Sequence, residues 1–218
     1  QSSLSNMEFE FAIEHRAARV GGVYYFRLYD LTNDQPVTAS SSYPSIVVLG
    51  PQLSFSIQGV PASTATEGII SDVTTTATTI PFGSLPLDTE YEAVYRLNVN
   101  TNSTDGYRVL MYARQPLINS YGEDIDSITG SNESPVSWSI GCSGVAIGCF
   151  GYHAGDDVLS DGSTRFLADD SYAALSTTTP EEIMHSSVPT DDLTDMVFKL
   201  QVSSEQPAGD YQTEVVYL

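Results

Sequence analysis

Apolar and polar side chains alternate with period two over much of this chain. In residues 6–14, Met7, Phe9, Phe11 and Ile13 fall on one side and Glu8, Glu10 and Glu14 on the other. After Gly21-Gly22 the period resumes at Tyr24, Phe26 and Leu28. Alternation of this kind turns one side of a strand toward a core and the other toward water. The pattern predicts strands over 6–14, 22–30, 45–49, 53–57 (Leu53, Phe55, Ile57) and 91–100 (Tyr91, Ala93, Tyr95, Leu97, Val99). Further strands are expected over 107–114, 194–203 (Met196, Phe198, Leu200, Val202) and 210–218. Gly21-Gly22, Asp105-Gly106 and Pro207-Ala208-Gly209 are turn signals, and Asp105-Gly106 predicts a hairpin between 91–100 and 107–114. Half-buried strands joined by turns predict an all-β fold, an antiparallel β-sandwich of immunoglobulin-like or jelly-roll-like kind.

The pattern breaks in two places. Residues 62–79, "ASTATEGIISDVTTTATT", are β-branched and nearly uncharged, and are expected as an edge strand or a connecting arm. Residues 115–190 are rich in Gly, Ser, Asp and Pro with scattered aromatics, so they read as a loop-rich insert. Long structureless loops are uncommon in compact domains, so short strands are expected near 136–141, 149–153 and 165–168. Thr179-Pro180 followed by Glu181 and Glu182 predicts a helical turn over 179–185.

The organisation predicted is an incomplete β segment over 1–49 and a sandwich domain over 50–218. Three candidate strands in 49 residues fall short of the seven or so of a free-standing immunoglobulin sandwich. Such a segment packs on the next domain, belongs to a truncated domain, or exchanges strands with another molecule. Met7, Phe9, Phe11, Ile13, Tyr24, Phe26 and Leu28 are therefore the expected assembly interface.

Charge narrows the partners. Twenty-eight acidic residues against eight basic ones give a net charge of −20 in 218 residues. Nucleic-acid binding depends on cations that displace counterions from phosphates, so it is not expected, and neither is an anionic membrane surface. No run of apolar residues is long enough to span a bilayer.

Candidate chemistry is sparse. Cys142 and Cys149 lie seven apart among glycines, and the scattered His15, His153 and His185 do not complete a zinc site. A local disulfide is the reading favoured in an exported chain; two buried thiols are the alternative. Asp156, Asp157 and Asp161 in "GDDVLSDGS" offer hard oxygens for calcium, although the spacing is not that of an EF-hand, and a solvated acidic turn is the alternative. Asn102 and Asn132 stand in N-x-S/T acceptor patterns for glycosylation. Trp138, Tyr121 and Tyr152 are candidates for stacking on sugars. No nucleophile elbow or phosphate loop occurs, Ser143 has His153 as its nearby histidine without triad spacing, and adjacent carboxylates such as Glu181-Glu182 point to opposite sides of a strand. No catalytic residue is assigned, no cofactor other than calcium is considered, and the chain is not expected to be an enzyme.

"MEFEFAI", "GGVYYFRLYD" and "YPSIVV" together resemble the last strands of immunoglobulin-like domains in bacterial exported surface proteins. "TTIPFGSLPLDTEYEAVYRLNVNTNSTDGYRVLMYA" (78–113) and "PAGDYQTEVVYL" (207–218) resemble β-sandwiches of the pilin, spore-coat and WxL kind. In these an I-x-F-G-x-L strand leads into a turn and P-A-G-x-Y introduces the final strand. No Trp-x-Leu signature is present, so wall binding is not carried over. The resemblance implies an exported β-sandwich protein, extracellular or at the cell surface, with a structural or adhesive role. The expected role is a subunit of a filament, pilus-like fibre or surface layer that polymerises with copies of itself by strand complementation. A monomeric adhesin or glycan-binding module using the 115–190 insert is the alternative, and a secreted hydrolase is the third.

Overall fold

A computed structural model describes residues 22–25, 29–30, 35–36, 45–48, 50–144, 147–156 and 158–218. The chain divides into two compact units, Gln1–Pro51 and Gln52–Leu218. In the first, β1 (Gly22–Tyr25) pairs antiparallel with β4 (Ser45–Val48), setting Tyr24 opposite Ile46. A shorter pair joins β2 (Tyr29–Asp30) to β3 (Gln35–Pro36). The expected interface residues Met7, Phe9, Phe11, Ile13, Phe26 and Leu28 lie outside the described residues.

The second unit is an antiparallel sandwich. Its larger sheet runs in the order β11 (Cys149–Ala154), β14 (Thr190–Gln201), β8 (Glu90–Thr101), β5 (Leu53–Gly59). The smaller runs β13 (Glu181–Ser186), β9 (Tyr107–Ala113), β15 (Val215–Tyr217). β8 and β14 pair along their whole length, from Thr101–Thr190 to Glu90–Gln201. The alternation read from the sequence places Tyr95, Leu97, Val99, Met196, Phe198 and Leu200 on the inner face. They meet Val109, Met111, Ile183 and Met184 from the smaller sheet. Each fully buried aliphatic or aromatic side chain contributes about 1.5–3 kcal/mol. Phe198 stacks between Tyr95 and Phe150, at centroid distances of 5.5 and 5.7 Å.

The Asp105-Gly106 turn does not make a hairpin. β8 belongs to the larger sheet and β9 to the smaller, so residues 102–106 cross between the layers. Both edges of β8 are already taken, by β14 and β5, which leaves β9 no place beside it. The β13–β14 connection makes a second crossing next to the first. Gly106 sits at φ +65°, and a Cβ there would stand 1.9 Å from the Ser186 carbonyl oxygen, so this position tolerates no side chain.

Other local expectations are corrected in the same way. Residues 181–186 form strand β13, not a helical turn, because Ile183 and Met184 are both fully buried and a bulge between Glu182 and Met184 accommodates them against β9. Residues 165–168 form no strand; Phe166 is buried at φ +57°, outside strand geometry. Near 136–141 a two-residue strand, β10 (Val136–Ser137), pairs with β12 (Ser171–Tyr172) and passes into one helical turn, α1 (Trp138–Gly141). Within 62–79, β6 (Ala65–Thr66) and β7 (Ile69–Ile70) form a small hairpin that turns at Glu67 and Gly68 with φ +47° and +72°.

The outer face of the larger sheet is covered. Val94 and Val197, on the side that alternation assigns to water, are fully buried beneath Ile128, Trp138 and Tyr172. The insert is thus a third layer. The Cys142–Cys149 disulfide, with Cα atoms 5.7 Å apart, ties this cap to β11.

Candidate functional site

Charged and aromatic side chains first draw attention beneath the cap. Lys199 is 7% exposed. Its Nζ lies 2.8 Å from Glu90 and 2.9 Å from Glu92, and 5.2 and 5.3 Å from the ring centroids of Trp138 and Tyr172. Burial disfavours its charge, but hydrogen bonds to the two carboxylates outweigh that and raise its pKa. Farther along the same face Arg96 binds buried Asp195 through two bonds of 2.6 and 2.8 Å, and the Thr66 hydroxyl donates to the same carboxylate at 2.7 Å. The His153 ring nitrogens face the Ser171 carbonyl at 2.8 Å and Glu67 at 3.7 Å. The charged groups satisfy one another and pin the β6–β7 hairpin and the cap to the sheet, while the buried Trp138 Nε1–H has no hydrogen-bond partner among the described residues.

The structure separates most of the candidate chemistry. Trp138 and Tyr152 are 3% and 0% exposed, so neither presents a face to a sugar; Tyr121 is 85% exposed and stands apart from them at a loop tip. Asn132 is 1% exposed, its amide donating to the Tyr152 hydroxyl at 2.8 Å and the Glu182 carbonyl at 3.0 Å. That nitrogen is closed to a glycan in the folded protein. Asn102 is exposed, and its Oδ1 accepts from the Gln52 N–H. Asp156 accepts from the backbone N–H groups of His185 and Val158, and burial raises its pKa. Asp161 accepts from Ser163 within its own turn. Asp157 lies outside the described residues, and among those described no group of three or more His, Cys, Asp or Glu side chains is disposed to hold a metal.

What the structure does assemble is an open edge with a groove beside it. β5 pairs with β8 on one side and β15 with β9 on one side; nothing among the described residues pairs with the other edge of either. Leu53 is 68% exposed and Phe55 41%, although their alternation marks them as core-facing. Phe55 and Tyr95 each touch Tyr217, with centroids 5.8 and 6.1 Å apart, and burial raises the Tyr217 phenol pKa.

Between the sheets lies a cavity of about 1140 Å³ that runs across the larger sheet from Ile57 of β5 to Phe150 of β11. Its floor includes Tyr95, Phe150, Phe198 and Leu200; one wall is the arm of residues 76–87 and the other residues 206–215. Ile80, Phe82 and Leu85 of the arm pack against the core. Residues 80–87 form no strand and donate no backbone hydrogen bond to either sheet. The I-x-F-G-x-L strand expected by resemblance is therefore an unladdered cover. Pro81 and Pro86 carry no N–H and favour extended chain that cannot join a ladder. The prolines were the available sequence signal for this; the positions of β5 and β15 at opposing sheet edges carried none.

Among the described residues no helix is long and apolar enough to cross a membrane. Comparison of the chain with known protein families, with curated proteins and with solved structures finds no match to any of them.

Proposed function

We propose that this protein is an extracellular structural subunit of a surface filament, pilus-like fibre or surface layer, built from copies of itself by β-strand complementation, and that it is not an enzyme. The observation that carries this reading is the open side of the sandwich: two neighbouring sheet edges without ladder partners among the described residues, flanked by exposed Leu53 and Phe55. Unpaired edges with apolar side chains template further strands, and natural monomers blunt them with charge, proline or cover. Here neither β5 nor β15 contains a lysine or a proline, and β5 contains no charge at all. A head-to-tail contact made through such an edge need not close, so it yields fibres. The high negative charge keeps free subunits dispersed, and the disulfide suits an oxidising exterior. The resemblance to exported β-sandwich proteins agrees with this role.

The test is size-exclusion chromatography with negative-stain electron microscopy on the full chain over a range of concentrations. Fibres or ordered sheets are expected. A monodisperse monomer at every concentration would contradict the reading.

A further inference from the structure

We propose that the cavity between the sheets binds a single-chain alkyl amphiphile whose polar head donates hydrogen bonds and carries no negative charge, a long-chain alcohol or amine. The arm of residues 80–87 is the strap that admits it. This site goes beyond the assembly reading and does not rest on it.

Shape and lining select the chain. From Ile57 to Phe150 the cavity crosses the three inter-strand gaps of the larger sheet, roughly 14 Å, so it is elongated as well as large enough for a small ligand. Phe198 has its ring faces against Tyr95 and Phe150, stacked at interplanar angles of 22° and 9°. Ring edges and the side chains of Ile125, Leu200 and Val215 line the space, a surface that suits methylene groups better than a flat aromatic ligand. The cover provides the entry. Tyr95, Phe150, Phe198 and Leu200 are each 5% exposed or less, and Ile80, Phe82 and Leu85 of the arm pack against the core they form. The arm is fastened at its ends, where the Thr76 N–H donates to the Thr79 carbonyl at 2.9 Å and the Asp88 N–H to the Val202 carbonyl at 2.7 Å. Between these ties residues 80–87 make no backbone–backbone hydrogen bond among the described residues. Lifting them therefore exchanges apolar contacts with the arm for apolar contacts with a ligand and breaks no such bond.

Two polar atoms and two charges select the head. At the β11 end Gln206 donates from Nε2 to the Asp124 carbonyl at 3.0 Å and the Tyr211 hydroxyl at 2.8 Å, and its Oε1 is buried with no partner among the described residues. At the β5 end the Tyr217 hydroxyl makes no hydrogen bond among the described residues. A buried amide oxygen without a donor is costly, and an O–H or N–H head supplies one. A carboxylate only accepts, so it leaves Gln206 Oε1 as it was. The charged side chains lining the cavity are Asp210 and Glu214, both acidic, and they repel an anionic head as well.

The test uses the dilute full-length chain with its disulfide intact, at low salt and near neutral pH. The uncharged fluorescent probe N-phenylnaphthylamine is bound first and then displaced by decanol, decylamine or decanoate, each below the concentration at which it forms micelles. Decanol and decylamine are expected to displace it at concentrations roughly tenfold or more below decanoate. Tyr217→Phe keeps the ring contacts and should weaken decanol roughly three- to tenfold, the loss of one hydrogen bond. Asp210→Lys, at an exposed position, should strengthen decanoate roughly threefold and weaken decylamine by a similar factor. Absence of saturable probe binding, or decanoate competing as well as decanol, would overturn the site. So would a head preference that both substitutions leave unchanged, because the ligands would then be held elsewhere on the surface. None of these outcomes bears on whether the chain forms fibres.

Discussion

The two lateral edges of the sandwich are finished in opposite ways. On the β11/β13 side the insert closes the gap. Ser127 and Ala173 bridge to Phe150 and Tyr152 of β11. The outward groups of β13 meet side chains: the His185 N–H donates to Asp156 at 2.7 Å and Asn132 donates to the Glu182 carbonyl at 3.0 Å. On the β5/β15 side nothing among the described residues pairs with either edge, and an arm with two prolines lines the groove there. The chain thus seals one edge with polar side chains and short bridges and, among the described residues, leaves the other without partners. The difference shows that the open side is not a general looseness of the fold.

The comparison can be broken from the sealed side first. Lys199→Ala removes the cation from between Glu90 and Glu92 beneath two aromatic rings. It is expected to lower the unfolding free energy by about 3 kcal/mol in urea titrations, because the half-buried Glu92 carboxylate loses its partner and the space filled by Lys199 is emptied. The same ion group makes stability sensitive to alkali. The folded pKa of Lys199 lies above its ordinary 10.5, so its contribution is complete below pH 10.5 and is lost as pH rises through the folded value. In thermal melts from pH 9 upward, Lys199→Ala should show a shallower loss of stability than the parent chain. Asn132→Ala deprives the Tyr152 hydroxyl and the Glu182 carbonyl of their donor, and Arg165 of an acceptor. A loss of about 2–3 kcal/mol is expected, with new association if the β11/β13 edge opens.

The disulfide holds the cap and not the edge. Replacing Cys142 and Cys149 together by Ser should lower stability by about 2 kcal/mol without changing the proposed assembly at β5/β15, read by urea titration and electron microscopy in parallel. The smallest effect on stability belongs to the open side. Phe55→Lys, at a position 41% exposed, should change unfolding free energy by no more than about 1 kcal/mol, yet suppress the proposed fibre growth by placing a charge where another strand would pack. If Phe55→Lys unfolds the protein while Asn132→Ala does not, the roles of the two sides have been assigned the wrong way round.

Period-two alternation made the central layer legible. β8 and β14 carry their apolar residues at the expected positions, and Ala93, Leu97, Met196 and Phe198 are all buried. Alternation reports one covered face, and it failed where both are covered: Val94, Val197 and Lys199 point to the other side and are buried there by the cap. The Asp105-Gly106 signal encoded a chain reversal correctly but not the sheet that the next strand would join, which depends on the pairing of β8 with β14 and β5. Aromatics scattered through the insert read equally well as ligand platforms or as core; Trp138, Tyr152 and Phe166 proved to be core. The open edge was the least visible feature, because Leu53 and Phe55 alternate like any buried pair and their exposure depends on how many strands the opposing layer contains.

Hydrogen–deuterium exchange on the full chain, comparing dilute subunits with the assembled material, tests the central claim most directly. The account predicts fast exchange at the Val215 and Tyr217 amides, which face the free edge of β15, and through residues 80–87 in dilute protein. Protection should appear there as assembly proceeds, while β11 and β14 remain protected throughout. Assembled material in which β15 and residues 80–87 still exchange as fast as in the dilute chain would contradict it.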